Sequence, residues 1–160
     1  MTVSIVAAAM ILVIAGSVAA NPASAARLEF VRAAETLVVA GNEALAEDEA
    51  YGALTLFEQA IVANPKNADA YVGLGRVHVK LGKTQSGLNY FSVALEIEPT
   101  HLSALEAEAI TFLSIGEIED AEETLSRISR ICGERFCPEQ NSVTAAISSF
   151  QEKKIADSTE

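Results

Sequence analysis

One fixed spacing recurs through the middle of this chain and limits its architecture more than any other feature. Pro65 and Pro99 stand 34 positions apart, in NPKNADAY and EPTHLSAL. The same offset separates Ala60 from Ala94, Phe57 from Phe91, Gly41 from Gly75, and Gly82 from Gly116. Small residues at Ala53, Gly87 and Ala121 carry it through three successive units. A fixed period of this length marks a repeat architecture: one unit cannot bury its own apolar face, so neighbours stack into a continuous core. Helices are the expected element. Ala and Leu are frequent, Trp is absent and aromatics make up only 6%, which suits helix-on-helix packing. Gly82 and Gly116 each follow an apolar helix end, where glycine adopts the left-handed conformation without a Cβ clash. Pro65 and Pro99 fall just beyond predicted helices, where a missing N–H does little harm.

This pattern resembles the tetratricopeptide repeat family, whose helix–turn–helix units stack into a solenoid. Three units are read, at residues 34–67, 68–101 and 102–132. The family's bulky residue early in the first helix is matched by Leu37, Tyr71 and Leu105, and its small residue four positions on by Gly41, Gly75 and Ala109. Ala44, His78 and Phe112 follow on the same face, less regularly. In the second helix, Ala53, Gly87 and Ala121 are small, Phe57, Phe91 and Leu125 fill the space beside them, and Ala60, Ala94 and Ile128 complete the stripe. The resemblance implies an all-α fold: three repeats stacked as a short right-handed solenoid, with residues 26–33 starting the first helix. Glu108 at a normally buried position, Ile128 in place of Ala, and a missing closing proline predict looser packing in the third unit. Pro138 is placed to open a C-terminal capping helix, with Val143, Ile147 and Phe150 on one face. Residues 133–153 are therefore read as a loop plus cap, and 154–160 as a disordered tail.

The N-terminal segment differs in kind. MTVSIVAAAMILVIAGSVAANPASAA has no charged side chain, and Val3 to Ala20 is continuously apolar or small until Asn21-Pro22 breaks the run. Ala23-Ser24-Ala25 supplies an A-x-A pattern, favouring a signal-peptidase cut between Ala25 and Ala26, although no Lys or Arg precedes the apolar run. The segment 1–25 is expected to be a signal peptide, or else an uncleaved anchor, since an apolar run of this length nearly spans a bilayer. Either way the rest of the chain is expected in an oxidising compartment: periplasmic, secreted, or membrane-anchored facing the periplasm. The net charge of −11 and pI near 4.6 argue against nucleic-acid binding, because phosphates repel such a surface.

Catalytic motifs are missing from the sequence: there is no phosphate-binding glycine loop, dinucleotide fingerprint or nucleophile elbow. His78 is read as a packing residue and His101 as a solvated turn residue. Neither has a second histidine at ligand spacing, so no metal and no cofactor are expected. Cys132 and Cys137, the only cysteines, could be a redox centre, half of a metal site or a staple. Once the repeats are placed, Cys132 ends the last repeat helix and Cys137 precedes the cap. A disulfide pinning the cap is then expected, stabilising by roughly 2 kcal/mol.

The resemblance also implies a concave groove lined by the first helix of each repeat. Carried over by repeat position, the lining is Val38, Asn42 and Leu45, then Val72, Arg76, Val79 and Lys80, then Glu106, Ile110 and Leu113. The groove is expected to be mostly apolar, with Arg76 and Lys80 as a basic pair for a partner carboxylate. Some family members clamp acidic chaperone tails with Lys and Asn along this groove. Here only Asn42 matches, and Val38 and Glu106 stand where cations are required. The function expected is a non-enzymatic, exported adaptor that binds a peptide or helix of another envelope protein. The alternative is a self-associating or structural subunit of an envelope assembly. A membrane partner is expected only if the N-terminal segment is uncleaved.

Overall fold

The same turn chemistry returns once per repeat and folds each unit into a helical hairpin. In the computed structural model, which describes residues 22–157, the chain forms seven helices and, among the described residues, no strand. They are α1 (Pro22–Ala46), α2 (Ala50–Ala63), α3 (Ala68–Lys80), α4 (Thr84–Ile97), α5 (Leu102–Ser114), α6 (Ile118–Cys132) and α7 (Pro138–Asp157).

The turn inside each hairpin is closed by one left-handed residue: Asp48 (φ 69°), Gly82 (φ 75°) and Gly116 (φ 85°), at equivalent positions of the three repeats. The N–H of the following residue then reaches back five positions, from Glu49 to the Ala44 carbonyl (2.8 Å), Lys83 to His78 (2.8 Å) and Glu117 to Phe112 (3.0 Å). These bonds satisfy carbonyls that the helix end would otherwise orphan. The turns between hairpins match as well. Asn64 and Glu98 donate their N–H groups to Ala60 and Ala94, Pro65 and Pro99 follow, and Asn67 and His101 cap the next helix. Asn67 Oδ1 accepts from the Ala70 N–H at 2.9 Å, and His101 Nδ1 accepts from the Ala104 N–H at 3.2 Å. Because Nδ1 accepts, Nε2 carries the proton and donates to Asp69 Oδ1 at 3.0 Å. His101 is thus a mostly buried cap that ties the start of α5 to the start of α3, not the solvated residue expected.

The odd-numbered helices form one layer, with α1 against α3, α3 against α5 and α5 against α7; α2, α4 and α6 each pack between two consecutive helices of that layer. Helix α3 separates two apolar clusters. Ala70, Leu74 and Val77 face back to Phe57 and Ala53, while Ala68 and Val72 face forward to Phe91, Ala104 and Leu105. Close helix crossings depend on glycine. A Cβ on Gly41 or Gly73 would overlap the Phe57 ring, and one on Gly75 would overlap the Phe91 ring. The small residues of the repeat are therefore the sockets for its phenylalanines.

The third repeat accommodates its odd residue by pairing it. Glu108 Oε2 accepts from Arg127 Nη1 at 3.3 Å and from Thr124 Oγ1 at 3.4 Å, while Ile128 beside them is fully buried. Burial pushes the Glu108 carboxyl above its ordinary value of 4.5, and Glu123 adds to this; Arg127 and Thr124 act in the opposite direction.

Both ends differ from the expected boundaries. Helix α1 begins at Pro22 rather than at residue 26, with proline at the first helical position, where its fixed φ fits. Helix α7 continues through Asp157, so residues 154–157 are helical rather than a disordered tail. Its buried side chains, Val143 and Ile147, pack on the last repeat. Of the expected leader or anchor, residues 1–21 lie outside the described residues, as do 158–160 at the other end. Among the described residues, no helix is long and apolar enough to cross a membrane.

Candidate functional site

The inner layer of helices carries a concavity of about 460 Å³ at the centre of the stack. Leu45 of α1, Val79 of α3 and Ile110 of α5 give it an apolar lining, and Arg76, Lys80 and Glu106 stand around it. These six were expected there. Ala107, Thr111 and Phe91 also line it and were not foreseen. The repeat carried no signal for Ala107 and Thr111: their counterparts one period earlier, Gly73 and Val77, are buried away from the concavity. Thr111 uses its hydroxyl on the Ala107 carbonyl at 2.6 Å, so it offers the groove no free donor.

Three expected lining residues belong to the core instead. Val38, Val72 and Leu113 are 7%, 2% and 7% exposed, buried where neighbouring helices meet. Asn42 is exposed but stands apart from the concavity. Ile110 remains 41% exposed and is the most open large apolar side chain of the lining.

The basic pair already has partners within the chain. Arg76 Nη2 donates to Ser103 Oγ at 2.7 Å, which ties α3 to α5. Lys80 Nζ reaches Asp48 Oδ1 at 2.6 Å, and this contact holds the Asp48 carboxyl below its ordinary value. The Lys80 pair is exposed on both sides, so it is weak and easily exchanged for a partner carboxylate. Asp48 was missed because its unit lacks a glycine at the turn. Stepping one period back from Gly82 would have found it.

Elsewhere, the structure joins Cys132 and Cys137, whose Cα atoms are 5.9 Å apart, between the end of α6 and the start of α7. The tight loop they close projects Phe136, 84% exposed. His78 packs its ring against Tyr90 with centroids 5.0 Å apart and its Nδ1 buried without a partner. Among the described residues, no cluster of three His, Cys, Asp or Glu has the arrangement of a metal site.

Comparison with known proteins agrees with this geometry. A tetratricopeptide repeat family model matches residues 56–88. A peroxisomal targeting signal receptor of Komagataella phaffii is 37% identical over 71 residues, 44% of this chain and 12% of the receptor. The chain therefore spans only a small part of that protein's length. Among solved structures, the first TPR of Spaghetti (RPAP3) bound to the HSP90 peptide SRMEEVD superposes with a TM-score of 0.67. It is 14% identical, over 78% of this chain and 98% of that one. The Arabidopsis OM64 TPR domain gives a TM-score of 0.66 at 18% identity, over 78% and 98%. The repeat period, the family model matched at residues 56–88 and the solved domains together show an all-helical fold of the tetratricopeptide repeat type.

Proposed function

We propose that the chain is a non-enzymatic interaction module that takes a short peptide, or one turn of a helix, from another protein into its central groove. The observation that carries this reading is the apolar lining around Ile110, left open in a concavity at the middle of the stack. A partner's aliphatic or aromatic side chain seated there would contribute the burial energy of about 1.5–3 kcal/mol usual for such groups. Lys80, held only by an exposed pair, would turn to a partner carboxylate beside that anchor. The structural neighbour bound to SRMEEVD supports peptide binding as a use of this fold. The ligand taken here differs from a multiply acidic tail, because Glu106 adds negative charge to the groove and Arg76 is committed to Ser103.

We place this activity outside the cytoplasm, with a protein of the same envelope as partner. The uncharged N-terminal run and the joined cysteines support that placement.

The test is partner recovery with the wild-type chain and with Ile110→Glu, each crosslinked in cells and identified by mass spectrometry. The substituted side chain is already partly in water, so the variant keeps its melting temperature. Loss of a defined partner with intact fold supports the groove. Equal recovery sinks it.

A further inference from the structure

Three charged side chains line the central groove, and they are not equally engaged. Arg76 donates to Ser103 Oγ at 2.7 Å, and Lys80 reaches Asp48 Oδ1 at 2.6 Å. Glu106 is different. Among the described residues its carboxylate has neither an ion-pair partner nor a side-chain hydrogen bond. It is partly buried, in the same wall as Ala107 and Ile110. A charge at the edge of an apolar surface selects a partner that brings the opposite charge as it removes the water.

The packing of α3 against α5 gives the order of these groups along the groove. His101, at the start of α5, bonds Asp69, at the start of α3, so the two helices begin side by side. They run the same way, because α4 carries the chain back between them. Counted from those two residues, Glu106 stands five positions along α5, Ile110 nine along α5, and Lys80 eleven along α3. At about 1.5 Å per residue, the carboxylate and the ammonium spring from points about 9 Å apart along the helices, with Ile110 between them. Glu106 and Ile110 are one turn apart, about 6 Å on their own helix. That distance is roughly two residues of an extended peptide, or one turn of a bound helix.

Resting on the groove reading above, we propose that Glu106 selects the partner by a cation: the bound segment carries an aliphatic or aromatic anchor for Ile110 and a Lys or Arg two residues from it if extended, or one turn away if helical. A carboxylate on the other side of the anchor meets Lys80. The ligand is therefore a mixed-charge segment, distinct both from an acidic tail and from a purely apolar one. The field of a chain of net charge −11 draws the same cation during approach.

The experiment uses the full chain, immobilised, with a displayed library of random seven-residue peptides as probe. Peptides that Ile110→Glu also retains are discarded. Those that remain are expected to carry Lys or Arg at a fixed distance from an apolar anchor. Glu106→Lys is expected to turn that preference to Asp or Glu with the anchors unchanged, and to weaken a peptide selected on wild type about tenfold, less at high salt. Glu106→Gln is expected to lose the preference without reversing it, which keeps the test open if the Lys variant folds poorly. Anchored peptides without a basic preference overturn the inference while leaving the groove reading intact, the result expected if Arg76 screens Glu106. A basic preference that survives Glu106→Lys overturns it too. If no peptide depends on Ile110, the groove reading fails and the inference falls with it.

Discussion

The Phe91 ring occupies the space where a side chain on Gly75 would begin. Helices α3 and α4 can approach this closely only because Gly75 has no Cβ. Gly75→Ala should gain about 1 kcal/mol of helix propensity but lose about 1–3 kcal/mol to overpacking, for a net loss of up to about 2 kcal/mol. Urea unfolding measures it. Adding Phe91→Leu to Gly75→Ala should restore part of the loss, and additive effects in the double-mutant cycle would show that the two sites do not share this volume.

Asp48 takes the place of a turn glycine while also holding Lys80. Replacement by glycine removes the left-handed strain and the ion pair together. Asp48→Gly should therefore raise the melting temperature most at high salt, where the exposed pair is screened, with a smaller gain at low salt. A fall in melting temperature at every ionic strength would show that the pair outweighs the backbone.

Glu108 gives the third repeat a pH dependence of known sign. Its carboxyl titrates above the ordinary 4.5 because burial disfavours the charged form. A raised folded-state value means that its contribution is fully present below the unfolded value and is lost as pH rises through the folded one. Glu108→Gln cannot ionise, so the stability of the variant relative to wild type should climb through this window and then level off. Chemical unfolding at a series of pH values reads the difference, in which the other carboxylates cancel. A difference that stays flat would show that Arg127 and Thr124 fully offset the burial.

The Cys132–Cys137 bridge closes a short loop between the last repeat and the cap. Its removal should cost roughly 2 kcal/mol on the loop-entropy estimate. Wild type unfolded with a reductant should lose the same amount as Cys132→Ala/Cys137→Ala, and the double variant should ignore the reductant. Reductant sensitivity in the double variant would assign the effect elsewhere.

Much of the fold could be read before any tertiary information. Pro65, Pro99, Gly82 and Gly116 mark turns by chemistry that acts within a few positions, and Phe57 and Phe91 recur with the small residues that receive them. The cap role of His101 was less legible. Its partner Asp69 lies 32 residues away, and a histidine seldom fills a position usually given to Asn or Asp. Glu108 could be recognised as a misfit, but its solution depends on Arg127, one helix on.

The sequence by itself determined the period, the helices and the order of their stacking, because each of these follows from contacts inside one repeat unit or with the next. Which inner-layer residues stay open was decided only by tertiary structure. Leu113 holds the repeat position of Leu45 and Val79, yet it is buried in the cluster that includes Val143 and Ile147 of the cap, while the other two line the groove. Gly73 shows the same dependence on a neighbour: it receives the Phe57 ring of the preceding unit, a contact that no single unit contains.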